Sequence, residues 1–453
     1  MTHIAVIDVG KTNAKLALVD GSSLSEIAVM TRPNTVLTDG PWPHFDLDGH
    51  WAFFLSGLAE YHRTHEIDEI SITTHGASVT LIDGDGQAVP MLDYEHGGPD
   101  SLSAQYAALR PNFVQTGSPR LPMGLNVGAQ LHWMFNTDPT LRDRLQAIVT
   151  YPQYWGYRLT GALATDVTSL GCHTDLWSPE AGDFSPLVDT LGIRDLIAPA
   201  RKSSDVLGTI SADIARATGL PAETPVRVGI HDSNASLYPH LLGRTGAFSV
   251  VSTGTWVIVM GMGATVPALD PALDTLMNVN ALGQPVPTAR FMGGREYDLI
   301  RQGRTITPTQ ADRDAVLDGL CLLPAIEPTT GPFAGRTHSW TAKPQTEGQE
   351  IVALSYYLAL MTDTCLTLIG AAGPTVIEGP FARNSDYLAM LACLRPDGIE
   401  IAASATGTSV GAALLCLPDA SAPQTQVIAP TDQDRMRRYA KIWSEALLQK
   451  QPS

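Results

Sequence analysis

The sequence predicts an α/β protein made of two similar halves, and three observations support this. Strand-like and helix-like stretches alternate along the chain. Its 453 residues exceed what one hydrophobic core usually supports. Two hairpins of the same design occur about half the chain apart, so we predict domains at residues 1–243 and 244–453. Because clefts between domains are preferred ligand sites, we expect a ligand between the halves.

The first hairpin has a polar turn between two apolar strands, at residues 4–9 and 14–19. The turn and the start of the second strand could bind a polyphosphate through backbone amides, the Thr12 hydroxyl and the lysines Lys11 and Lys15. We therefore predict cofactor binding by Gly10, Lys11, Thr12, Asn13 and Lys15. Asp8 ends the first strand and would repel phosphate unless a divalent cation stood between them, so we predict a metal role for it. The alternative is an ordinary hairpin with a polar tip.

The second hairpin repeats this design, with Thr253-Gly254-Thr255 between strands at 247–252 and 256–260. A plain hairpin turn without a ligand is the alternative for these three residues. The repetition of one device in each half favours two related ligand-holding halves.

A short strand at 225–230 precedes that hairpin and leads into His231-Asp232-Ser233-Asn234. This turn begins a predicted helix over 235–242. Asp232, at a strand end, is placed to accept the proton of an attacking hydroxyl. The alternatives are an N-cap for Asp232 and a structural or loop histidine at His231.

The rest of the chain continues the alternation. We expect a helix capped by Asp48 that runs to about His65, and another from Asn384 or Ser385 through Leu394. The segment 406–415 is rich in Gly and Ala, which predicts a helix that packs closely against another element or a flat ring. Strands are expected at 67–74, 79–83, 374–378 and 399–402, and a further helix at 152–159.

Composition argues against several classes of partner and location. The net charge of −17 argues against nucleic acid and against an anionic membrane surface. No apolar run approaches the ~20 residues of a membrane span. The chain enters a strand without a charged leader, so we expect no signal peptide and a cytoplasmic location. The five scattered cysteines are typical of buried free thiols in a reducing compartment: Cys172, Cys321, Cys365, Cys393 and Cys416.

Six motifs follow one another along nearly the whole chain. They are Asp8-Val9-Gly10-Lys11-Thr12-Asn13, Thr73-Thr74-His75-Gly76, His231-Asp232-Ser233, Ser252-Thr253-Gly254-Thr255-Trp256, Glu378-Gly379-Pro380 and Gly407-Thr408-Ser409-Val410-Gly411. This order resembles the FGGY carbohydrate kinases, of the superfamily of sugar kinases, actin and chaperone ATPases. The resemblance implies two ribonuclease-H-like (actin-like) domains with an interdomain cleft that closes on ATP, Mg²⁺ and a sugar.

The resemblance also implies a role for each matching residue. Asp8 resembles the metal-associated acid, Thr12 the first phosphate-loop hydroxyl and Asp232 the catalytic base. The expected cofactor contacts in the second half are Thr253, Gly254, Thr255, Gly379, Asn384 and Gly407. The expected sugar contacts are His75, Gly76, Tyr94, Glu95 and Asp232, and more weakly Arg295 and Glu296.

Departures from the family pattern limit the choice of sugar. This chain has Thr74-His75-Gly76-Ala77 at the position where glycerol kinases have a motif similar to Asn-Gln-Arg-Glu. Without the Arg-Glu pair, glycerol is not expected as the substrate. The turn at 252–256 and the His-Asp pair are more similar to the deoxy-ketose kinases for rhamnulose or fuculose. Ser78 replaces an acid of the rhamnulose kinases, and Tyr94-Glu95-His96 stands where the family often has Trp, any residue, then Asp. We therefore predict a ketose or polyol kinase and leave the sugar open.

Two other functional classes remain open. One is an actin-like ATPase switch without a sugar, and the other is a catalytically silent regulator that binds a sugar or nucleotide. A base opposite the γ-phosphate and the His75-Gly76 loop favour a kinase over a switch. The joint presence of Asp8, Thr12, Asp232 and the turn Thr253-Gly254-Thr255 counts against a silent regulator. The expected partners are a sugar and ATP, with no nucleic acid and no membrane, and a homodimer is left open.

Overall fold

The computed structural model describes residues 2–265, 267–402 and 407–449. The chain divides into two compact units. The first unit comprises Met1–Gly243, Met277–Pro285 and Thr406–Ala422, and the second comprises Arg244–Leu276, Val286–Ala405 and Pro423–Ser453. The single boundary predicted after residue 243 does not anticipate the two returns of the chain to the first unit. Such returns join segments that are far apart in sequence, and local sequence patterns do not reveal them.

The first unit contains a seven-stranded sheet, the first sheet. Its strands lie in the order Val206–Thr209, Pro225–Arg227, Glu69–Thr74, His3–Val9, Asn13–Asp20 and Ser25–Pro33, with Ile230–His231 also paired to Glu69–Thr74. The two hairpin strands are buried on both faces, which explains their almost unbroken apolar runs. Bulky side chains from Leu47–His65 and Tyr151–Thr160 pack against one face, including Phe54 and Trp155.

Three parallel strands of the first sheet end at the same edge. Asp8 pairs with Thr73, and Thr73 pairs in turn with Ile230. His231 pairs with Thr74, so Asp232 follows the end of its strand just as His75 follows the end of the neighbouring one. Polar residues that are distant in sequence are therefore brought together at the carboxyl ends of the strands, where α/β sheets commonly bind ligands.

The other described elements of the first unit are short strands and helices. The strands are Val36–Leu37, His44–Phe45, Val79–Asp83, Gly86–Gln87, Ala147–Thr150, Thr165–Asp166, Trp177–Ser178, Asp183–Phe184 and Ala200–Arg201. The helices are Leu47–His65, Gly98–Leu102, Ser103–Leu109, Phe113–Thr116, Val127–Thr137, Leu141–Arg144, Tyr151–Thr160, Val167–Leu170, Leu187–Thr190, Ala212–Thr218, Asp232–Leu241, Thr408–Ala413 and Leu414–Cys416.

Three predicted boundaries are wrong. Asp46, and not Asp48, caps the helix Leu47–His65, since its side chain accepts a hydrogen bond from the Gly49 amide. The strand expected at 225–230 is split into Pro225–Arg227 and Ile230–His231, with Gly229 at a φ of 94° between them. The following helix begins at Asp232 rather than at residue 235, because His231 occupies the N-cap position.

The second unit contains another seven-stranded sheet, the second sheet. Its strands lie in the order Thr275–Val279, Pro285–Phe291, Val257–Met262, Phe248–Thr253, Thr375–Glu378, Ile399–Ala402 and Thr425–Ile428. The chain passes from the second unit to the first within Thr275–Val279. The other elements are the strands Leu322–Leu323 and Ser339–Trp340 and the helices Pro271–Leu273, Gly293–Arg301, Gln310–Leu317, Glu347–Leu368, Pro380–Arg383, Ser385–Leu394 and Gln433–Gln449.

The two sheets share one arrangement. In each, an antiparallel hairpin is followed across the sheet by a strand parallel to its first member. That strand is Glu69–Thr74 in the first sheet and Thr375–Glu378 in the second. The predicted fold of two α/β domains of similar design is confirmed.

Contrary to the expectation from the sequence, one helix, Glu347–Leu368, is long and apolar enough to cross a membrane by length and composition alone. In the structure, however, 78% of its apolar window is buried inside the protein. Val352, Tyr356 and Leu366 lie in the hydrophobic core of the second unit. We therefore interpret it as the central core helix of that unit.

Candidate active site

Asp232 has a carboxylate that is available for chemistry. It is the first residue of its helix and not the N-cap, so the sequence-based alternative for it is wrong. Its Oδ1 accepts a 2.6 Å hydrogen bond from the Ser233 amide and lies 3.1 Å from His231 Nε2. The side chain is 30% exposed. Burial raises the pKa of Asp232 to about 6, with a further upward contribution from the charge of Asp8.

His75 lies in an aromatic pocket of the first unit. Its ring centroid is 5.1 Å from that of Phe45, 5.3 Å from that of Tyr94 and 5.0 Å from that of Tyr151. Burial lowers the pKa of His75 to about 4, so the imidazole is neutral at physiological pH. Nδ1 contacts the Gly76 carbonyl at 2.9 Å, whereas Nε2 is buried without a hydrogen-bond partner among the described residues. A buried polar atom of this kind is suited to a ligand hydroxyl.

Gly76 fits against the histidine beside Asp232. A Cβ at Gly76 would lie 2.7 Å from His231 Nε2. Burial lowers the pKa of His231 to about 4, and its backbone amide donates to Thr168 Oγ1 at 3.0 Å. The glycine in the His75-Gly76 motif therefore makes room for the imidazole that contacts Asp232.

Asp8 is held by the small-residue helix, Thr408–Ala413. Thr408 Oγ1 and Ser409 Oγ donate to Asp8 Oδ2 at 2.6 and 2.7 Å, and Lys15 Nζ is 3.6 Å from the same oxygen. No cluster of three or more metal-ligating side chains occurs within 2–265, 267–402 and 407–449. Carboxylate and hydroxyl oxygens nevertheless suit Mg²⁺, which often takes only one or two protein carboxylates and completes its shell with water and substrate phosphates.

The predicted phosphate-binding turn is exposed at its tip. Thr12 and Asn13 are exposed, and the Gly10 amide donates to the Asn13 carbonyl at 2.9 Å. Lys15 Nζ also bonds Glu26 at 2.8 Å. The ammonium of Lys11 is hydrogen-bonded to Asp93, so it already has an anionic partner.

The second unit has a cavity of about 670 Å³ beside its hairpin turn. Three of the residues predicted for the cofactor line it, namely Gly254, Thr255 and Asn384. Its other lining residues include Tyr297, Arg301, Ile351, Ser355, Phe381 and Arg383. Asn384 caps the helix Ser385–Leu394 through the Tyr387 amide and donates to Ser355 Oγ at 3.0 Å. This cavity has the size and mixed lining of a small-molecule site.

The turn at 253–255 is fixed by the strand beside it. Thr253 Oγ1 donates to the Glu378 carbonyl at 2.5 Å and accepts from the Phe381 amide at 3.1 Å. Gly379 has a φ of 82°, and a Cβ there would overlap the Thr253 carbonyl oxygen. Gly379 therefore supports the turn by allowing the backbones to approach closely.

Three further predicted residues have other surroundings. Gly407 is exposed and belongs to the first unit, and Thr406 lies outside the described residues. In the second unit, Glu296 is buried and accepts from the Tyr357 hydroxyl and from the Glu327 amide at 3.0 Å. Burial raises the pKa of Glu296 to about 7. Arg295 pairs with Glu327 at 3.0 Å.

Sequence reasoning missed the hydroxyls of Thr408 and Ser409 and the carboxylate of Asp93. Thr408 and Ser409 stood in one of the six motifs, but only Gly407 was given a ligand role there. Asp93 directly precedes the predicted contacts Tyr94 and Glu95. The pattern of polar and apolar residues cannot show that Asp93 pairs with Lys11, because the two are 82 residues apart in sequence.

Family comparisons identify both halves of the chain. Residues 3–238 match the N-terminal domain of the FGGY family of carbohydrate kinases, and residues 245–426 match the FGGY C-terminal domain. The chain belongs to the FGGY family of carbohydrate kinases. The family predicted from the six motifs is therefore confirmed.

Among relatives of this FGGY chain is the L-fuculokinase of Salmonella typhi, which is 26% identical over 268 residues. The match covers 57% of this chain and 56% of that protein. The L-fuculokinase of Escherichia coli K12 is 27% identical over 283 residues, 58% of this chain and 57% of that protein. The chain thus spans a little over half the length of the curated relatives it matches. The resemblance to deoxy-ketose kinases agrees with both.

A solved structure matches the whole FGGY chain. The carbohydrate kinase from Novosphingobium aromaticivorans is 35% identical, with a TM-score of 0.91, and the match covers 98% of this chain and 100% of that one. A xylulose kinase from Rhodospirillum rubrum, 20% identical, has a TM-score of 0.78 with 99% and 98% covered, and it shows the fold alone.

Proposed function

We propose that this protein transfers the γ-phosphate of ATP to a hydroxyl of a ketose or related polyol, with Asp232 as the general base. The observation that carries the proposal is the half-buried carboxylate of Asp232, whose pKa is raised to about 6. A base with a pKa near the working pH is ionised yet still able to take a proton. Family membership supports a kinase, and the similarity to L-fuculokinases supports a ketose acceptor.

The acceptor is proposed to bind beside Asp232, where His75, Tyr94 and Glu95 provide polar and aromatic groups. Nδ1 of the neutral His75 donates to the Gly76 carbonyl, so the unpartnered Nε2 can accept a hydrogen bond from an acceptor hydroxyl. Asp232 then removes the proton of the attacking hydroxyl as the hydroxyl oxygen bonds to the γ-phosphorus. The bond from that phosphorus to the oxygen bridging it to the β-phosphate breaks, and ADP leaves. Phosphoryl transfer requires positioning and charge neutralisation more than covalent catalysis, so these few groups are sufficient on the acceptor side.

The nucleotide is proposed to occupy the cavity of the second unit, with its phosphates near the turn at 253–255. The exposed Gly254 and Thr255 line that cavity, and Asn384 is fixed at its wall. When bound with ATP, Mg²⁺ supplies charge neutralisation of the phosphates, and Asp8 is the residue that would hold it.

A cytoplasmic location and a homodimer stay predictions.

Replacement of Asp232 tests the base. Asp232→Asn keeps the side-chain shape but cannot accept the proton, so we expect kcat to fall by about 10²- to 10⁴-fold with little change in nucleotide affinity. A coupled ADP assay with Mg-ATP across ketoses, aldoses and polyols measures turnover, and calorimetry measures ADP binding. Asp48→Asn, at a side chain that is 94% exposed, is the matched control. Normal turnover in Asp232→Asn would contradict the assignment.

The same assay separates the other two functional classes. ADP release that does not depend on any added sugar would indicate an ATPase switch. Binding of a ketose by calorimetry with no ADP formed would indicate a silent regulator. ADP release stimulated by a ketose or polyol is the result that we expect.

A further inference from the structure

The ammonium of Lys11 lies among the residues proposed to bind the acceptor. Lys11 Nζ donates to Asp93 Oδ1 and is 3.2 Å from Glu95 Oε2. It also lies 4.6 Å from the centroid of the Tyr94 ring and 5.1 Å from that of Phe45. Both rings contact His75, and the charges of Lys11 and Asp232 both act on the His75 imidazole. Lys11 therefore shares its surroundings with the acceptor residues.

The partner of Lys11 is a well-anchored buried acid. Asp93 is only 6% exposed. Its amide donates to the Pro43 carbonyl at 2.9 Å, and its Oδ1 also accepts from the Glu95 amide at 3.1 Å. A buried carboxylate that lost its cation would be strongly destabilising, so the pair holds the Lys11 side chain in place. Lys11 retains donors for one further oxygen, because an ammonium has three.

The charges in this region are unevenly balanced. Lys11 and Lys15 have four carboxylate partners, Asp8, Glu26, Asp93 and Glu95. The charge of a fifth carboxylate, Asp232, acts on His75 beside Lys11. Lys15 is already bonded to Glu26 at 2.8 Å and lies 3.6 Å from Asp8. Neither lysine is thus left with unbalanced positive charge. An acceptor that brought its own negative charge would add to an existing excess of anions in a partly buried site.

We propose that Lys11 and its carboxylates Asp93 and Glu95 form a specificity-determining triad that positions an uncharged polyhydroxy acceptor and rejects an anionic one. A hydroxyl both donates and accepts, so it can bond a carboxylate and the ammonium together, whereas an acid group can only accept. Sugar acids and sugar phosphates are excluded by charge, and neutral ketoses and polyols are admitted. This inference rests on the proposed function, and it moves Lys11 from the predicted phosphate contacts to the acceptor side.

The first test separates the two roles of Lys11 by Michaelis constants. Lys11→Met keeps the length and removes the charge. We expect the KM for the best neutral sugar to rise about 10- to 100-fold, as for loss of a charge-assisted hydrogen bond, with the KM for ATP within about twofold of wild type. Lys202→Met, at an exposed lysine, is the control. A rise in the KM for ATP with an unchanged KM for the sugar would overturn the proposal.

The second test uses charge preference and does not depend on how well Lys11→Met folds. Asp93→Asn leaves Lys11 with less compensation, so we expect the ratio of kcat/KM for the matching aldonate over the neutral sugar to rise at least about tenfold. The double variant K11M/D93N removes both the positive charge of Lys11 and the negative charge of Asp93. Its ratio of kcat/KM for the aldonate over the neutral sugar should therefore return towards the wild-type ratio. An unchanged ratio in Asp93→Asn would also overturn the proposal.

Failure of this inference is distinguishable from failure of the proposed function. If the wild-type protein forms no ADP with any neutral ketose or polyol, the proposed function fails first. If it does, and the aldonate is as good a substrate as the sugar, only the charge discrimination fails.

Discussion

At the residue scale, His231 is in contact with the proposed base, Asp232. The imidazole is 6% exposed and neutral, and its Nε2 lies 3.1 Å from Asp232 Oδ1. Its Nδ1 is buried without a hydrogen-bond partner among the described residues. In the neutral tautomer that suits this contact, Nε2 carries the proton and donates it to the Asp232 carboxylate, and Nδ1 is unprotonated. A buried nitrogen acceptor without a partner costs less free energy than a buried unpaired charge. From this geometry we predict that His231 orients Asp232 and favours its ionised form.

The pH dependence of turnover tests this role. Because the base must be ionised, kcat/KM of the wild type should fall as the pH drops below about 6, the pKa of Asp232. His231→Phe keeps a ring but removes the donor, which raises the pKa of the carboxylate, so the acidic limb should move upward by up to about one pH unit. The measurement is kcat/KM from pH 5 to 9.

Ser233→Ala is the control for this prediction. It removes only the 3.3 Å contact between the Ser233 hydroxyl and Asp232 and keeps the 2.6 Å amide bond. Its acidic limb should move less than that of His231→Phe. An identical limb in His231→Phe and wild type would show that the histidine does not act on the base.

At the scale of elements, the small-residue helix Thr408–Ala413 connects fold and site. A Cβ at Gly411 would overlap the Ala235 carbonyl oxygen in the helix Asp232–Leu241. On its other side the Ala412 carbonyl accepts from Ser71 Oγ at 2.6 Å. This close packing of the helix places the hydroxyls of Thr408 and Ser409 within hydrogen-bond distance of Asp8. One short helix thus packs against the element that begins with Asp232 and also anchors the acid proposed to hold the metal.

Gly411→Ala tests the close packing between the helices Thr408–Ala413 and Asp232–Leu241. The added methyl group must push the two helices apart, which we expect to cost about 1–3 kcal/mol of unfolding free energy and to lower kcat by displacing the hydroxyls from Asp8. Thermal denaturation and the coupled assay measure the two effects. Gly97→Ala is the matched control, because Gly97 has a φ of −77° and open space around its Cβ position. A wild-type melting temperature in Gly411→Ala would contradict the close packing.

At the scale of the whole molecule, the apolar interior contains every cysteine of the chain. All five thiols are buried. Burial raises the pKa of Cys321 to about 11 and raises the pKa values of Cys365 and Cys416 strongly. Thiolates are the reactive form, so these thiols are protected by both inaccessibility and protonation.

The thiols therefore report on global unfolding. We expect no reaction with a thiol reagent in the native protein at pH 7.5, and five equivalents of reaction in denaturant. The denaturant dependence of labelling should follow the loss of secondary structure by circular dichroism. Rapid stoichiometric labelling of any thiol under native conditions would contradict the buried positions.

Much of the fold was predictable because it depends on local patterns. The hairpin strands His3–Val9 and Asn13–Asp20 follow directly from apolar runs that flank a polar turn. The start of the helix Ser385–Leu394 was predicted at Asn384 or Ser385, and the structure places Asn384 at its N-cap. The cap at Asp46 was not predicted, because Asp46 and Asp48 are equally good caps by type and only the chain path selects one.

The sequence by itself determined the elements, their order, the family and the position of Asp232 at a strand end. These depend on the spacing of apolar and polar residues within short segments. Tertiary structure alone decided that Thr408 and Ser409 bond Asp8 across 400 residues of chain, and that Lys11 pairs with Asp93. Such partnerships arise because strand pairing and close helix packing bring distant segments together, and a linear pattern contains no record of which segments meet.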